Sequence, residues 1–479
     1  MQRSRLNWVL ATLVISVSAH AIDGDLDTGF AGSGRKLVDV SSGVGDTGQV
    51  LQIQADGKLL MAGTCTKSET FNGHTDAFSK FCATRLRADG SYDTGFGPGG
   101  VGYIRFDRFE NQGFPHNSRL ASVLRLSDGR LVFLGSGTDG TAGLIAVLTP
   151  DGSTLDTSVG QGDGFFTFQF GTTASQGTVL LAQADGKILV AGQAIGPNGN
   201  EDMAVLRFLP DFSIDTSFGN GGYQTVAFDL GGPSGINIDA ALDATLQPDG
   251  RIVLAGAAIT TANNLTEIAI ARLLPNGQLD LSFGSNHDGR AHFAHDAVNL
   301  AEAVRIDAQG RIVYVGAAQN SAATIVRGVV NRLLANGDQD PDFNASSGAG
   351  HPQLFFASPI GGFNFSCALF ALTTQADGSV FAAGNAIRDT SAATAYFMAV
   401  KLNADGAFAP GNSFGVNGKT YQTFAPSPAN SSSDNGTAIA VGNGGLMIGG
   451  SSANAAGNDV KFGIARLKLD AIFSQGFEN

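Results

Sequence analysis

Charge is scarce in this sequence. Asp, Glu, Lys and Arg make up 15% of its 479 residues, and 42 acidic residues outnumber 29 basic ones, which gives a formal net charge of −13. Nucleic acids and anionic membrane surfaces are bound by clusters of Lys and Arg. The composition therefore excludes both as partners. The seven histidines leave few side chains that titrate near neutral pH.

Long hydrophobic runs are also missing beyond the N-terminus. There, Arg3 and Arg5 precede an apolar run from Leu10 to Val17, and Ala19 and Ala21 give the small-x-small pattern of a cleavage site. This run is too short to cross a bilayer. We therefore predict a signal peptide over residues 1–21, cleaved near Ala21, and a mature protein that is exported without a transmembrane segment.

Cysteine is the third scarce residue, with three copies. Cys65 and Cys82 flank a short insertion, Thr66 to Phe81, so the two could face each other across a hairpin. In an oxidising compartment they would form a disulfide; the alternative is two ordinary buried thiols. Cys367 has no evident partner.

Glycine, in contrast, is abundant, with 66 copies, and one group of glycines marks an internal repeat. A polar turn followed by an apolar run ending in Gly, as in "QADGKILVAG", occurs seven times. The runs end at Gly63, Gly135, Gly192, Gly256, Gly316, Gly384 and Gly450. Each unit contains four short apolar stretches separated by Asp-Gly or Asn-Gly turns, the strongest short-range signal of a hairpin. No stretch has a sustained helical period, so almost no helix is expected.

Seven four-stranded units predict an all-β fold, a seven-bladed β-propeller of antiparallel blades, with a β-solenoid as the alternative. The last unit lacks a fourth strand, whereas the mature chain begins with "LDTGFAGSG" and "RKLVDV", which is a fourth strand alone. We therefore expect the N-terminal strand to pair with the C-terminal blade and close the ring. Residues 22–479 would be one domain, residues 22–40 would complete the last blade, and the protein would be a monomer.

The unit "QxDGKxxVAG … xAxxRLxxDGxxDTSFGxxG" resembles the bacterial delta-60 repeat over nearly the whole mature chain. The resemblance implies a secreted or cell-surface bacterial β-propeller protein, and it supplies no catalytic residues. The C-terminal segment Ile472–Asn479, "IFSQGFEN", has two interpretations. It is either a sorting signal, because similar tails end many secreted proteins, or a decayed copy of the "LDTSFG" phrase.

Two groups of residues are candidates for metal binding. The repeated phrase carries an Asp in most units, which could form a ring of Ca²⁺ ligands or, as we expect, accept backbone N–H groups within turns. Its acidic residues are Asp27, Asp93, Asp156, Asp215 and Asp280. The segment from Asp23 to Gly29 also resembles the start of a Ca²⁺ loop but lacks its Gly and Glu.

The second group is a cluster of potential transition-metal ligands, His287, Asp288, His292 and His295. Because His292 and His295 are three residues apart, a strand would place them on opposite faces. We therefore expect polar loop and edge-strand residues here. No cofactor is predicted, with bound Ca²⁺ as the alternative.

The local catalytic motifs HExxH and CxxC are missing. Between repeats, the sequence varies most in loops that a propeller would place on one face. These segments are Thr64–Ala77, Gln193–Asp202, Ala257–Glu267, Ala386–Ala395, Asp107–Leu120 and Pro426–Asn435. We expect a non-catalytic binding module that uses these loops to bind an extracellular glycan or protein. The alternative is an extracellular hydrolase or lyase with its site at the mouth of the central channel.

Overall fold

The computed structural model describes most of the chain from Asp23 to Leu469. The described ranges are 23–41, 45–71, 74–106, 117–136, 142–171, 174–195, 200–231, 237–260, 265–320, 326–345, 353–354, 356–357, 364–388, 394–424, 433–442, 444–454, 457 and 459–469. The predicted signal peptide and the tail Ile472–Asn479 lie outside these residues. Within them, no helix is long and apolar enough to cross a membrane.

Strands account for the regular structure of the described residues, apart from one 3₁₀ turn at Pro98–Gly100. Five separate sheets each contain four consecutive antiparallel strands. The first strand of the chain, β1 (Arg35–Val38), belongs to a sixth sheet. The predicted all-β fold of four-stranded antiparallel units is confirmed.

The bounds of the five four-stranded sheets follow the chain. Sheet I contains β2 (Asp46–Ile53), β3 (Leu59–Phe71), β4 (His74–Leu86) and β5 (Tyr103–Phe106). Sheet II contains β6 (Arg119–Arg125), β7 (Leu131–Ser136), β8 (Gly143–Leu148) and β9 (Phe165–Phe168). Sheet III contains β10 (Ala174–Ala182), β11 (Ile188–Ile195), β12 (Glu201–Phe208) and β13 (Tyr223–Val226). Sheet IV contains β14 (Asp239–Leu246), β15 (Ile252–Ile259), β16 (Thr266–Leu273) and β17 (Arg290–Phe293). Sheet V contains β18 (Val298–Ile306), β19 (Ile312–Gln319), β20 (Val326–Leu333) and β21 (Gln353–Leu354).

The sixth sheet has nine strands in the described chain. It contains β22 (Phe356–Ala357), β23 (Asn364–Thr374), β24 (Val380–Arg388), β25 (Thr394–Leu402), β26 (Lys419–Gln422), β27 (Ser433–Gly442), β28 (Gly445–Ala453), β29 (Val460–Lys468) and β1. Two four-stranded groups, β23–β26 and β27–β29 with β1, meet at a single parallel pair, Ala395 with Ser433. Strand β1 pairs antiparallel with β29, with Arg35 opposite Ala465, so the two ends of the described chain share one group of strands.

A bulge at the same place in the first strand of every unit explains the repeated glycine. In sheet III the register shifts between Gly177 and Val179, directly opposite Gly192. A Cβ atom on Gly192 would lie 1.9 Å from the carbonyl oxygen of Gln176, a distance that no side chain can occupy. The other six repeat glycines face the same shift in their own units. The bulge therefore requires glycine at this position.

The hydrophobic core lies between neighbouring sheets. Between sheets I and II, the rings of Phe81, Phe106 and Phe133 pack together, with Phe106 edge-on to both neighbours at centroid distances of 5.7 and 5.1 Å. The same kind of layer joins sheet I to the C-terminal strands, where Met61 packs with Phe462. Each sheet is thus buried on both faces, which explains the continuous apolar runs in its middle strands.

The insertion expected between Cys65 and Cys82 is a continuation of the sheet. Strands β3 and β4 each extend to 13 residues and form one long hairpin. Cys65 and Cys82 form a disulfide across it, with their Cα atoms 5.9 Å apart. Lys80, whose side chain is buried, pairs with Glu69 at 2.6 Å on the same hairpin. Cys367 is buried and lies outside the disulfide. Its Sγ accepts the N–H of Gly328 at 3.2 Å, and burial raises the pKa of its thiol to about 12.

Candidate functional site

A central cavity lies where the first strands of all seven repeat units meet. It has a volume of about 450 Å³, and β2, β6, β10, β14, β18, β23 and β27 all contribute to its wall. We call these the inner strands. Pockets of this size and larger commonly hold small ligands. The alternative of a hydrolase or lyase predicted a catalytic site at the mouth of a channel between these strands.

Side-chain hydrogen bonds join neighbouring inner strands around this cavity. Thr178 of β10 donates to the carbonyl of Ala241 on β14 at 2.9 Å. Thr437 of β27 donates to the carbonyl of Gly48 on β2 at 2.7 Å. These bonds satisfy backbone groups that the bulges leave without a partner in the ladder, so these two hydroxyl groups have a structural role.

Glu302 differs from the rest of this wall. It is the bulged residue of β18, and the bulged residues of the other inner strands are uncharged: Gln49, Ala121, Thr178, Leu242, Phe370 and Thr437. Burial raises the pKa of Glu302, and no described residue makes a hydrogen bond or ion pair with it. The repeat needs no carboxyl group here, and this one faces the cavity unpartnered.

A second carboxylate, Asp243, lies beside Glu302 on the neighbouring inner strand. Its Oδ2 accepts the backbone N–H of Val304, two residues after Glu302, at 2.9 Å. The guanidinium of Arg305 donates to the same oxygen at 2.7 Å. The cavity thus contains two carboxyl groups: Asp243, which is bonded to Arg305, and Glu302, which has no partner among the described residues.

A larger pocket of about 620 Å³ adjoins the cavity and shares Ala121 and Thr178 with it. It lies between sheets I, II and III, at the edge where the inner strands begin and the second strands end. We call this edge the loop face, because the segments that vary between repeats emerge there, and the pocket the mouth pocket. Its polar side chains include Ser79, Asn117, Arg119, Ser136 and Gln176.

The opposite edge carries the repeated phrase, whose Asp residues bind protein groups. Asp215 Oδ1 accepts the backbone N–H of Ser217 at 3.1 Å, and its Oδ2 accepts Nε of Arg207 at 2.9 Å. Arg207 also stacks on Phe218, 4.5 Å from the ring centroid, and donates to the carbonyl of Pro275 in the next sheet. The Asp residue therefore accepts turn N–H groups, as the sequence indicated.

The same Arg, Asp and Phe arrangement recurs in other units. The Nε–Oδ2 distances of Arg85 to Asp93 and Arg272 to Asp280 are 2.7 and 2.8 Å. Arg332 makes the equivalent contacts with Asp340 and Phe343. Each guanidinium also reaches a carbonyl of the following unit. This Arg is part of the repeat unit, but its role, which is to join one sheet to the next, was not predicted from the sequence.

The histidine cluster is dispersed in the structure. His287 adopts a positive φ of 53° in a turn, and Asp288 beside it accepts the N–H of Arg290. His292 pairs with Glu267 at 2.5 Å, whereas His295 contacts the hydroxyl of Tyr314 at 3.3 Å. Across the ranges that the structure describes, no three His, Cys, Asp or Glu side chains form a group that could hold a metal ion.

The variable loops are described only in part. Residues 107–116, 196–199, 261–264, 389–393 and 426–432 of the predicted recognition segments lie outside the described ranges. The remaining parts extend existing strands, as in the hairpin of β3 and β4. The described site residues are therefore those of the cavity and the mouth pocket.

A family model matches three segments of the chain, residues 183–218, 247–283 and 309–343. Its description is "Domain of unknown function (DUF5122) beta-propeller". Each segment runs from the turn before the second strand to the Phe of the repeated phrase, in sheets III, IV and V. The repeat is thus a β-propeller repeat, as predicted. Among curated proteins, no sequence matches this one.

Solved structures with a similar fold include several enzymes. The polysaccharide lyase Uly1 is 11% identical over 88% of this chain and 90% of its own, with a TM-score of 0.45. An endo-arabinase from Bacteroides thetaiotaomicron VPI-5482 is 12% identical over 61% of this chain and 93% of its own, with a TM-score of 0.30. The exo-beta-1,3-galactanase 1,3Gal43A from Clostridium thermocellum is 10% identical over 92% of this chain and 98% of its own, with a TM-score of 0.30. At these identities and TM-scores, the likeness concerns the fold alone. The expectation of a non-catalytic binding module is corrected from the cavity itself, because its unpartnered Glu302 agrees better with the alternative of a hydrolase or lyase.

Proposed function

We propose that this protein is an extracellular hydrolase or lyase with its catalytic site in the central channel, reached from the loop face. The observation that carries the proposal is the unpartnered carboxyl group of Glu302 in the cavity. Carboxyl groups that a fold does not need, and that desolvation keeps protonated to higher pH, are typical of general acids.

The two carboxyl groups would divide the work of bond cleavage. Glu302, protonated, donates its proton to the leaving oxygen of the substrate. Asp243, beside Arg305, removes a proton from an attacking water in a hydrolase or from the substrate carbon in a lyase. Phe370, the bulged residue of the next inner strand, offers an apolar surface to the substrate. Convergent polar groups of this kind orient small ligands.

The experiment compares Glu302→Gln with Glu201→Gln on a panel of polysaccharides. Glu201 is a matched control because burial also raises its pKa, but it lies at the start of β12 outside the cavity and bonds Gln193. Newly formed reducing ends would report cleavage, and ultraviolet absorbance of an unsaturated product would separate elimination from hydrolysis. We expect E302Q to lower kcat by about 100-fold or more and E201Q to leave it unchanged. Equal effects of both substitutions would contradict the proposal.

For the architecture, we propose seven blades arranged in a closed ring. The nine-stranded sheet would contribute two blades, because one parallel pair alone joins its two four-stranded groups. The shared core of Met61 with Phe462 and the bond from Thr437 to Gly48 support contact between the first and last blades.

The delta-60 assignment stays a prediction. Export is supported by the disulfide of Cys65 and Cys82, since such bonds persist in oxidising compartments.

A further inference from the structure

Arg119 stands out in the mouth pocket because its charge has no partner. It is the first residue of β6, it is exposed, and no described residue makes an ion pair or hydrogen bond with its side chain. By contrast, Arg207 and Arg305 are each bonded to an Asp. Arg119 is also the one charged residue in the lining of this pocket. A guanidinium in this position is available to a ligand.

The repeat architecture does not require this arginine. Arg119 lies directly before the residue that pairs with the repeat glycine, here Leu120 with Gly135. The residues at this position in the other six inner strands are uncharged: Thr47, Gln176, Ala240, Leu300, Ala368 and Asn435. The repeat itself therefore does not account for this charge.

The groups around Arg119 suit an oxygen-rich ligand. Asn117 is fixed by its side-chain oxygen, which accepts the N–H of Ser79 at 2.8 Å, so its amide nitrogen can still donate. Ser136 lies opposite Arg119 in the hairpin of β6 and β7. A guanidinium binds carboxylate or sulfate oxygens in a bidentate manner, while amide and hydroxyl groups bind sugar hydroxyls. The mouth pocket thus combines one cation with several neutral polar groups.

We propose that the mouth pocket is a binding subsite for an anionic sugar unit, whose carboxylate or sulfate pairs with Arg119. This inference names the substrate class of the proposed enzyme, an acidic polysaccharide, and in that respect rests on the proposed function. The shared residues Ala121 and Thr178 connect the subsite to the cavity of Glu302. A chain bound at Arg119 would extend from there towards that carboxyl group.

The test measures binding of short oligosaccharides to the full protein by calorimetry. The probes are oligogalacturonate, which carries carboxylates, chondroitin sulfate fragments, which carry sulfates as well, and neutral xylo-oligosaccharides. We expect Arg119→Gln to weaken binding of an anionic probe by about 10- to 100-fold, as the loss of a charge-assisted hydrogen bond implies. Added salt should weaken anionic binding to the parent protein. The fold-change for each anionic probe identifies the anion.

Three controls separate the outcomes. Arg119→Lys keeps the positive charge but lacks the bidentate guanidinium, so it should bind anionic probes more tightly than R119Q and less tightly than the parent. Gln176→Ala alters another polar group of the same pocket and should leave the preference for anionic probes intact. Equal affinity of parent and R119Q for every anionic probe, or a preference of the parent for the neutral probe, would overturn the inference. If the parent binds anionic probes through Arg119 but cleaves none of the polymers, the subsite stands and the catalytic proposal fails.

Discussion

Replacing Asp239 by Asn should remove a specific pH dependence of stability. Asp239 is the first residue of β14 and is fully buried. Its Oδ2 accepts the N–H of Phe228 at 2.6 Å, whereas its Oδ1 is buried without a hydrogen-bond partner. Desolvation, together with the charges of Asp202 and Asp229, raises its pKa from 3.8 to about 6.

The sign and size of the effect follow from this pKa. Between pH 3.8 and about 6 the folded protein binds this proton and the unfolded chain does not, so the free energy of unfolding falls as pH rises through that window. Two pKa units correspond to about 3 kcal/mol. The stability that protonated Asp239 provides is therefore complete below pH 3.8 and lost above about pH 6.

The equivalent residue of sheet V shows why Asn is a suitable replacement. Asn299 occupies the same position at the start of its inner strand, with Oδ1 accepting two backbone N–H groups. Its Nδ2 donates to the carbonyls of Thr266 and Asp296 at 2.6 and 2.8 Å. An amide at position 239 should likewise donate where the carboxylate oxygen has no partner. We expect D239N to be more stable than the parent above pH 7, by up to about 3 kcal/mol.

Urea unfolding of parent and D239N at several pH values from 4 to 8 measures this directly. The difference in free energy of unfolding between the two proteins should grow with pH and level off above the pKa of Asp239. A difference that stays constant over this range, including a uniform loss of stability in D239N, would refute the raised pKa of Asp239.

Three further predictions concern the repeat. Hydrogen bonds from Ser217 and the charge of Arg207 outweigh burial and lower the pKa of Asp215 to about 2. In urea unfolding, D215N should therefore lower the free energy of unfolding by about 2 kcal/mol at pH 7 and by progressively less below pH 3.8. Gly192→Ala would place a Cβ against the carbonyl of Gln176 and should cost about 1–3 kcal/mol, so an unchanged thermal midpoint would contradict the role of the bulge. Deleting Leu26–Val40 should expose the edge of β29 and cause aggregation; a truncated protein that melts like the parent would show that this strand is dispensable.

Much of the fold could be predicted because its signals are local and repeated. Asp-Gly turns, apolar runs and the returning glycine identify four strands per unit. The reason for that glycine could not be read from the sequence, because the bulge lies in the partner strand, opposite Gly192. The extended hairpin was predicted as an insertion, since the polar residues between Cys65 and Cys82 do not distinguish a loop from an exposed pair of strands.

The candidate site was harder to predict, because its residues stand out only when equivalent positions of the repeat units are compared. In the sequence, Glu302 and Arg119 look like ordinary charged residues. The register at the bulge shows that the residues at the equivalent positions of the other units are uncharged. The histidine cluster attracted attention through closeness in sequence, but a turn and a strand send His287, His292 and His295 to different surroundings. Sequence spacing alone does not identify a site that forms across sheets.

The pairing of β1 with β29 has a consequence for the order of folding. A chain leaving the ribosome presents Arg35–Val38 first and Val460–Lys468 last, so β1 must wait unpaired while the intervening sheets form. Contacts between such distant segments close slowly, because the loop between them must be ordered first. Once the intervening sheets have formed, they shorten the effective distance between β1 and β29. A chain that is cut short before β29 during synthesis would therefore leave β1 without its partner strand. The strand and the adjacent core would then be exposed to proteases.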